Sequence, residues 1–597
     1  SLLSTLSCHQ TSLSNKRSRS IDDIFQSYHN FKQSINPIEA TKGGETNFND
    51  TIANYISTNY QDNLLKKYSL YLDTLNTFDS TSVTSSQWLS IQTMRWDCNI
   101  KRAGLLQPLI TLASPIYNLP SFELMPLIQV QSLHLYVAQL AAGKSVHPFK
   151  TVQDYDHWLE RVQDYFTFLD TCITKMKLGM GQGIVLPKSL VRKVLPQLEP
   201  FINESVKNHL FYIPIKNMPS HFNSAESDRL ITAYHNMIED HLKPKYRKLR
   251  DFLINEYLPK SRNTSGLGSL PGGLETYRYL IRLHTTSNLT IDEIHKKGLK
   301  EVDRILAEME KAKARMGFSG DIKDFFEFIR NSPEQMPFTK PNQVIDHFND
   351  IKLQVKNSLS SLFSLEPKAT FEVRRTEAFR EASASAEYVP GSKDGSRSGI
   401  FYVPIPNVLH YNKYADEALF LHEAIPGHHY QLSLQQENKQ LPEFLHPESL
   451  GVFVEGWALY AESLGGELGL YQDPVQYFGM LSMEMHRAIR LVVDTGIHGK
   501  GWTREQAIQY SLDHEAESEA AIISEIERYM ATPGQALSYK IGQLKIQELR
   551  SKATRILGDK FNIKEFHDQV LNAGSLPLVI LEKKINNWIN SRMIIKM

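Results

Sequence analysis

Residues 416–437, DEALFLHEAIPGHHYQLSLQQE, set His422, Glu423, His428 and His429 close together in the chain. Imidazole nitrogens and carboxylate oxygens are ordinary zinc ligands, and a glutamate beside the first histidine is the usual base in zinc-dependent hydrolysis. In the common motif the two histidines are four apart and share one helical face. His422 and His428 are six apart. At about 100° and 1.5 Å per residue, a regular helix would separate them by roughly 120° and about 9 Å, too far for one ion. Pro426 lacks a backbone N–H and Gly427 tolerates unusual dihedrals. The segment therefore predicts a two-residue bulge that restores an effective offset of four. His429 competes with His428 because seven residues recover the angle, but two turns carry it about 10 Å along the axis. His428 is the preferred ligand, and His429 is expected to support a ligand from behind. A solvated, proline-kinked helix would need no metal. Leu419, Phe420 and Leu421 argue instead for burial, where two histidines and a glutamate require partners.

A third protein ligand would leave one position open for water. The run GVFVEGWALYAESLGGELG, 451–469, offers Glu455 and Glu462, seven apart and so on one helical face. Glu455 stands among Val452, Phe453, Val454 and Trp457, and a carboxylate in apolar company needs an ion or a partner. Glu455 is preferred as ligand, with Glu462 as the alternative or as the group that orients a histidine. Further on, EMHRAIRLVVDTGIHGKGW, 484–502, carries Arg487 and Arg490, which could anchor a substrate carboxylate or form ordinary helix ion pairs. Asp494 in the same run is expected to support the site. His498 at the helix end and Tyr539 in ATPGQALSYKIG, 531–542, are candidate donors to an oxyanion. A second His-Glu pair, His514 and Glu515, has Ser518 where another histidine would be needed and reads as a solvated face.

The elements that must position these residues are mostly helical. Ser20 can cap a helix with Asp22 and Asp23 in its first turn, and Ile21, Ile24, Phe25 and Tyr28 share a face. Helical periodicity continues near 122–142, 151–178 and 224–257, and Thr290 starts a capped helix ending near Gly317. Two strand-like runs, FEVRR at 371–375 and GIFYVPI at 399–405, precede the histidine segment. Pro404 and Pro406 mark the second as an edge or terminal strand, to which an extended peptide could add, with Tyr402 against the substrate. The fold class is mainly α, a large helical body with a small β-sheet beside the metal-binding helix. Residues 258–274, rich in Pro, Gly, Ser and Asn, mark a boundary or an ordered crossover. The expected organisation is an extended or disordered segment over 1–19, an N-terminal helical lobe over 20–265 and a catalytic lobe over 266–597.

Lys plus Arg and Asp plus Glu both number 66, so no global charge draws the chain to nucleic acid or an anionic membrane. Three scattered cysteines support neither a disulfide framework nor a cysteine zinc cluster. The richest apolar region, 105–143, is broken by Pro108, Pro115, Pro120 and Pro126, so no transmembrane segment is expected. The chain opens at Ser1, which leaves room for a targeting segment or lipid anchor ahead of it, and the compartment stays open.

HEAIPGHHYQ and EGWALYAE, with NPIEAT at 36–41, GLGSLPGGLETYRYLIRLHTTSNLTIDEIHKKGLKEVDR at 266–304 and DGSRSGIFYVPI at 394–405, resemble the family known as domain of unknown function 885. VVDTGIHGKGW and TPGQALSYKIG extend that resemblance almost to the end of the chain. The family is similar to gluzincin-type metallopeptidases. The resemblance implies a helical, two-lobed fold with an edge strand beside the metal helix, one Zn²⁺ per chain on His422, His428 and Glu455, and Glu423 as catalyst. The expected activity is hydrolysis of a peptide or small amide by a zinc-activated water. A zinc hydrolase of non-peptide amides or esters, and a catalytically silent metal or peptide binder, are the alternatives.

Overall fold

The computed structural model describes residues 20–594 except 112–119, 144–145, 379–380, 394, 396 and 447–449. The segment expected to be extended, 1–19, lies outside the described residues. Helices dominate. The first, α1 (Ile21–Ile35), carries the expected Ser20 cap, and Asp23 completes it to a capping box, each bonding the other's backbone N–H. Its buried face, Ile21, Ile24, Phe25 and Tyr28, joins a small core with Leu64, Tyr68, Met94 and Phe444. A second and much larger core runs through the rest of the molecule and includes Tyr257 and Tyr277 on either side of the Pro/Gly-rich crossover and Leu267 within it. The expected helix near 122–142 is confined to Leu133–Ala141, because the prolines upstream cannot continue a hydrogen-bonded helix.

The periodic segments at 151–178 and 291–315 form α2 (Val152–Gln182) and, after α3 (Gly273–Thr285), α4 (Ile291–Arg315), with Thr290 and Glu293 in a capping box. A three-stranded sheet follows, made of β1 (Phe371–Arg375), β2 (Glu387–Val389) and β3 (Gly399–Val403), in the spatial order β1-β3-β2. β1 runs parallel to β3, and β2 antiparallel. The expectation that 399–405 is an edge is overturned: β3 is the central strand, and Pro404 and Pro406 fall after its last ladder residue. The true free edge on one side is the three-residue strand β2. Gly399 N–H donates to Thr370 O, and Thr376 N–H donates to Val403 O. Gly399, Phe401 and Val403 therefore point their backbone groups at β1, while Ile400 and Tyr402 bond Val389 and Glu387. Tyr388, opposite Phe401, is left with its N–H and C=O facing outward.

Beyond the sheet the chain is helical again: α5 (Asp416–Glu423), α6 (His428–Glu437), α7 (Gly451–Ser463), α8 (Pro474–Lys500), α9 (Glu519–Ala531) and α10 (Ser538–Leu557). Glycines set how closely these helices pack. A Cβ at Gly542 would lie 2.0 Å from Val452 O, and one at Gly456 2.5 Å from Gly542 Cα, so α7 and α10 meet backbone to backbone. Gly298 brings α4 equally close to Leu491 and Val492 of α8. Gly479 lets α8 rest on the Tyr414 carbonyl at the entrance to α5. These close approaches hold α5, α7, α8 and α10 in fixed register around one point.

Candidate metal centre

α5 ends at Glu423 and α6 begins at His428. The expected bulge in one continuous helix is instead a complete break across Ala424–Gly427, with a cis Ile425–Pro426 peptide. The turn doubles back over the last carbonyls of α5: a Cβ at Gly427 would lie 2.0 Å from His422 O and 2.2 Å from Leu421 O. Only glycine fits there. Trp457 Nε1 of α7 donates to Pro426 O at 2.8 Å and pins the turn from the other side. The break places the His422 and His428 rings edge to face, with centroids 4.7 Å apart.

Glu455 of α7 enters between them. Its Oε2 lies 3.4 Å from His422 Nε2 and 3.6 Å from His428 Nε2. Charge-assisted hydrogen bonds run shorter, at about 2.7–2.9 Å. Ligand-to-ligand edges around a tetrahedral zinc are about 1.6 times bonds of about 2.0–2.2 Å, or about 3.3–3.6 Å, and the observed spacings fall in that range. His422 Nδ1 donates to Glu462 Oε1 at 2.7 Å, which keeps a proton on Nδ1 and leaves Nε2 as the nitrogen that would meet a metal. Two imidazoles that converge on one carboxylate at these distances, with a second carboxylate orienting one imidazole, fit a zinc ion.

Glu423 also belongs to the cluster: it, His422 and His428 each offer a ligand atom within 4.8 Å of the others. Both carboxylates therefore border the two imidazoles, Glu455 from α7 and Glu423 from the end of α5. Burial raises the Glu423 pKa, opposed by His422 and His428, and the outward Tyr388 N–H of β2 faces its carboxylate. Burial would lower the His422 pKa, but Glu455 and Glu462 override it and raise it to about 10. Glu455 is buried too, yet the two histidines hold it well below the usual carboxylate range.

His429 turns the other way. Its Nδ1 bonds Tyr388 Oη at 2.8 Å, its ring lies 4.5 Å from that of Phe371, and burial lowers its pKa to about 4. It is therefore no ligand; it ties α6 to β2, the strand that faces Glu423. Tyr402 was expected to meet substrate, but it lies buried in the central strand, with β1 on one side and β2 on the other. His498 was expected to reach an oxyanion, but its Nδ1 accepts from Leu267 N–H at 2.9 Å and its Nε2 donates to Tyr529 O at 2.9 Å. Both nitrogens are taken, and the residue is a clamp. Asp494 does not touch the metal cluster either; it accepts from Tyr277 Oη at 2.5 Å and from Gly534 N–H at 3.1 Å.

Tyr539 is the second residue of α10. It is half-buried and within electrostatic range of Glu455, which together with burial raises its pKa. The Arg490 guanidinium lies 4.6 Å from the centre of its ring. Arg487 folds back along α8 to donate to Met483 O at 3.2 Å. Glu515, from the His-Glu pair read as a solvated face, is buried and accepts from His486 Nδ1 at 2.6 Å. Sequence reasoning missed Tyr388, because a three-residue strand has no readable period. Trp457 carried a signal, since a buried indole N–H requires an acceptor.

The family model described as "Bacterial protein of unknown function (DUF885)" matches residues 37–585. The chain belongs to this family. A crystal structure of a "putative lipoprotein" from Colwellia psychrerythraea is 26% identical, covers 96% of this chain and 99% of its own, and superposes with a TM-score of 0.85. A second "putative lipoprotein of unknown function", from Shewanella oneidensis, shares the fold at 18% identity and a TM-score of 0.70, covering 95% of this chain and 99% of its own. No curated protein matches.

Proposed function

We propose that this member of the family is a zinc-dependent peptidase whose ion is held by His422, His428 and Glu455. The observation that carries the reading is the convergence of those three side chains, 3.4 Å and 3.6 Å from Glu455 to the two imidazoles, with Glu462 bonded to Nδ1 of His422. When bound, zinc acidifies a water and polarises a carbonyl. Glu423, buried and beside the histidines, accepts a proton as the water oxygen bonds the carbonyl carbon. It then delivers that proton to the amine as the C–N bond breaks. Tyr539 donates its phenolic hydrogen to the carbonyl oxygen as negative charge develops there. The Tyr388 N–H is held by Glu423, and the outward C=O of Tyr388 lies on the same free edge, where an extended peptide can pair. A gluzincin-like cleft between two lobes is part of this reading. So is lipid anchoring of the intact protein, in keeping with the name of the Colwellia relative.

The test combines elemental analysis with a panel of quenched peptides. The purified protein is expected to hold one zinc per chain and to cleave peptides in a chelator-sensitive manner. Glu423→Gln is expected to keep the zinc and lose about 10²–10⁴-fold in kcat. Full activity in that variant would remove Glu423 as the base, and metal-free activity would remove the ion.

A further inference from the structure

Behind Tyr539 stands a group of charges that the hydrolytic step does not use. Arg490 is buried on α8, 6% exposed, and its Nε donates to Tyr529 Oη at 2.9 Å. Its Nη2 reaches His486 Nε2 and Glu525 Oε2, each at 3.1 Å. Nη1 is shielded from water and has no hydrogen-bond partner. Arg528 is by contrast fully engaged, bonding both Glu525 oxygens and Gln535 Oε1. Arg490 and Arg528 stand against the carboxylates of Glu515 and Glu525, with His486 bonded between Glu515 and Arg490, so what the cluster leaves open is an acceptor for Arg490 Nη1. A buried guanidinium with an uncommitted nitrogen is costly unless an acceptor arrives, and a carboxylate is the acceptor its geometry suits.

Position decides which carboxylate. The Arg490 guanidinium is 4.6 Å from the centre of the Tyr539 ring, and Tyr539 in turn lies within range of Glu455. An extended chain advances about 3.5 Å per residue, so one or two residues beyond the bond being cut span the distance from Tyr539 to Arg490. We propose that Arg490 receives the terminal carboxylate of the substrate, so that the protein trims one or two residues from free carboxy-terminal ends. The proposal deepens the peptidase reading and rests on it for the position of the cut bond. Tyr539 would serve both groups, with its hydroxyl toward the carbonyl being attacked and its ring face under the arginine.

The experiment uses two peptides of one sequence, one ending in a free acid and the other in an amide. Binding of each to the zinc-loaded Glu423→Gln protein is measured by calorimetry. The free acid is expected to bind at least about tenfold more tightly, the worth of one charge-assisted hydrogen bond. In Glu423→Gln/Arg490→Met the discrimination is expected to fall below about twofold, while Arg490→Lys keeps part of it because the charge stays and the fork does not. Equal affinity of the Glu423→Gln protein for acid and amide, or no binding of either, would overturn the proposal whatever the Arg490 variants do. Turnover separates the two readings. Chelator-sensitive cleavage that ignores amidation refutes the carboxylate receptor and spares the peptidase; acid-selective binding without cleavage does the reverse.

Discussion

At the scale of the residue, the site depends on one proton being in the right place. Glu462 is almost fully buried and holds His422 Nδ1 at 2.7 Å, so Nε2 is the nitrogen turned toward Glu455. Glu462→Gln presents a neutral amide to the imidazole and loses the charge that raises its basicity. Zinc affinity is expected to fall about 10–100-fold, read by competition with a chromogenic chelator. An unchanged affinity would mean that Glu462 does not orient a ligand. Asp494 is a separate case, since burial raises its pKa to about 7 despite hydrogen bonds from Tyr277 and Gly534. An unfolded aspartate titrates near 3.9, so between about pH 4 and pH 7 the folded chain binds a proton that the unfolded chain has released. Stability from this group is present in full below pH 4 and is lost as pH rises to about 7, on the order of 4 kcal/mol in all. Asp494→Asn is expected to remove that slope. Thermal midpoints of the two proteins measured from pH 4 to pH 8 check it, and parallel curves would show that Asp494 titrates as it does when unfolded.

At the scale of the element, glycine decides whether the ligands meet. A Cβ at Gly542 would sit 2.0 Å from Val452 O, a backbone atom one turn before Glu455 that cannot rotate away. Gly542→Ala must therefore push α7 from α10. A cost of about 1–3 kcal/mol is expected. Because Glu455 rides on α7, zinc content should fall further than the loss of folded protein explains. Elemental analysis of the folded fraction distinguishes displacement from simple destabilisation. This dependence on tertiary approach also marks where the sequence stops being readable. The caps at Ser20 and Thr290 are local and were legible, as was the irregularity at Pro426-Gly427 that lets His422 and His428 meet. The form of the break was not legible, because what makes Gly427 obligatory is the pair of α5 carbonyls that it covers. Nor was the order of the sheet: the prolines after Val403 suggest an edge, and the strand that holds the real edge spans only Glu387–Val389.

At the scale of the whole molecule, the Pro/Gly-rich crossover at 258–274 is stitched to both halves of the chain. Arg262 bonds Val185 O at 2.8 Å and Gly266 O at 2.8 Å, while Gly266 and Gly268 lie so close to α8 that a Cβ would meet the Ile497 and His498 carbonyls. His498 closes the stitch, joining Leu267 N–H to Tyr529 O through its two nitrogens. Its pKa is lowered by burial to about 3, so the ring stays neutral and keeps one donor and one acceptor through the physiological range. That division of labour could be seen only from the fold, since the sequence places His498 after a glycine at a helix end, where a side chain could equally project into a cleft. The two roles predict different losses. As an oxyanion donor, His498→Ala would cut kcat by about 10²–10³-fold with little change in stability. As a clamp, it leaves a buried N–H and a buried carbonyl unbonded, about 1–3 kcal/mol for each group. The expected outcome is a lower unfolding midpoint and faster proteolytic nicking between residues 260 and 270, with kcat per folded molecule within about threefold of the parent. A large fall in kcat without nicking would return His498 to the reaction and leave the crossover to be held by its other bonds, those of Arg262 and Ser265 among them.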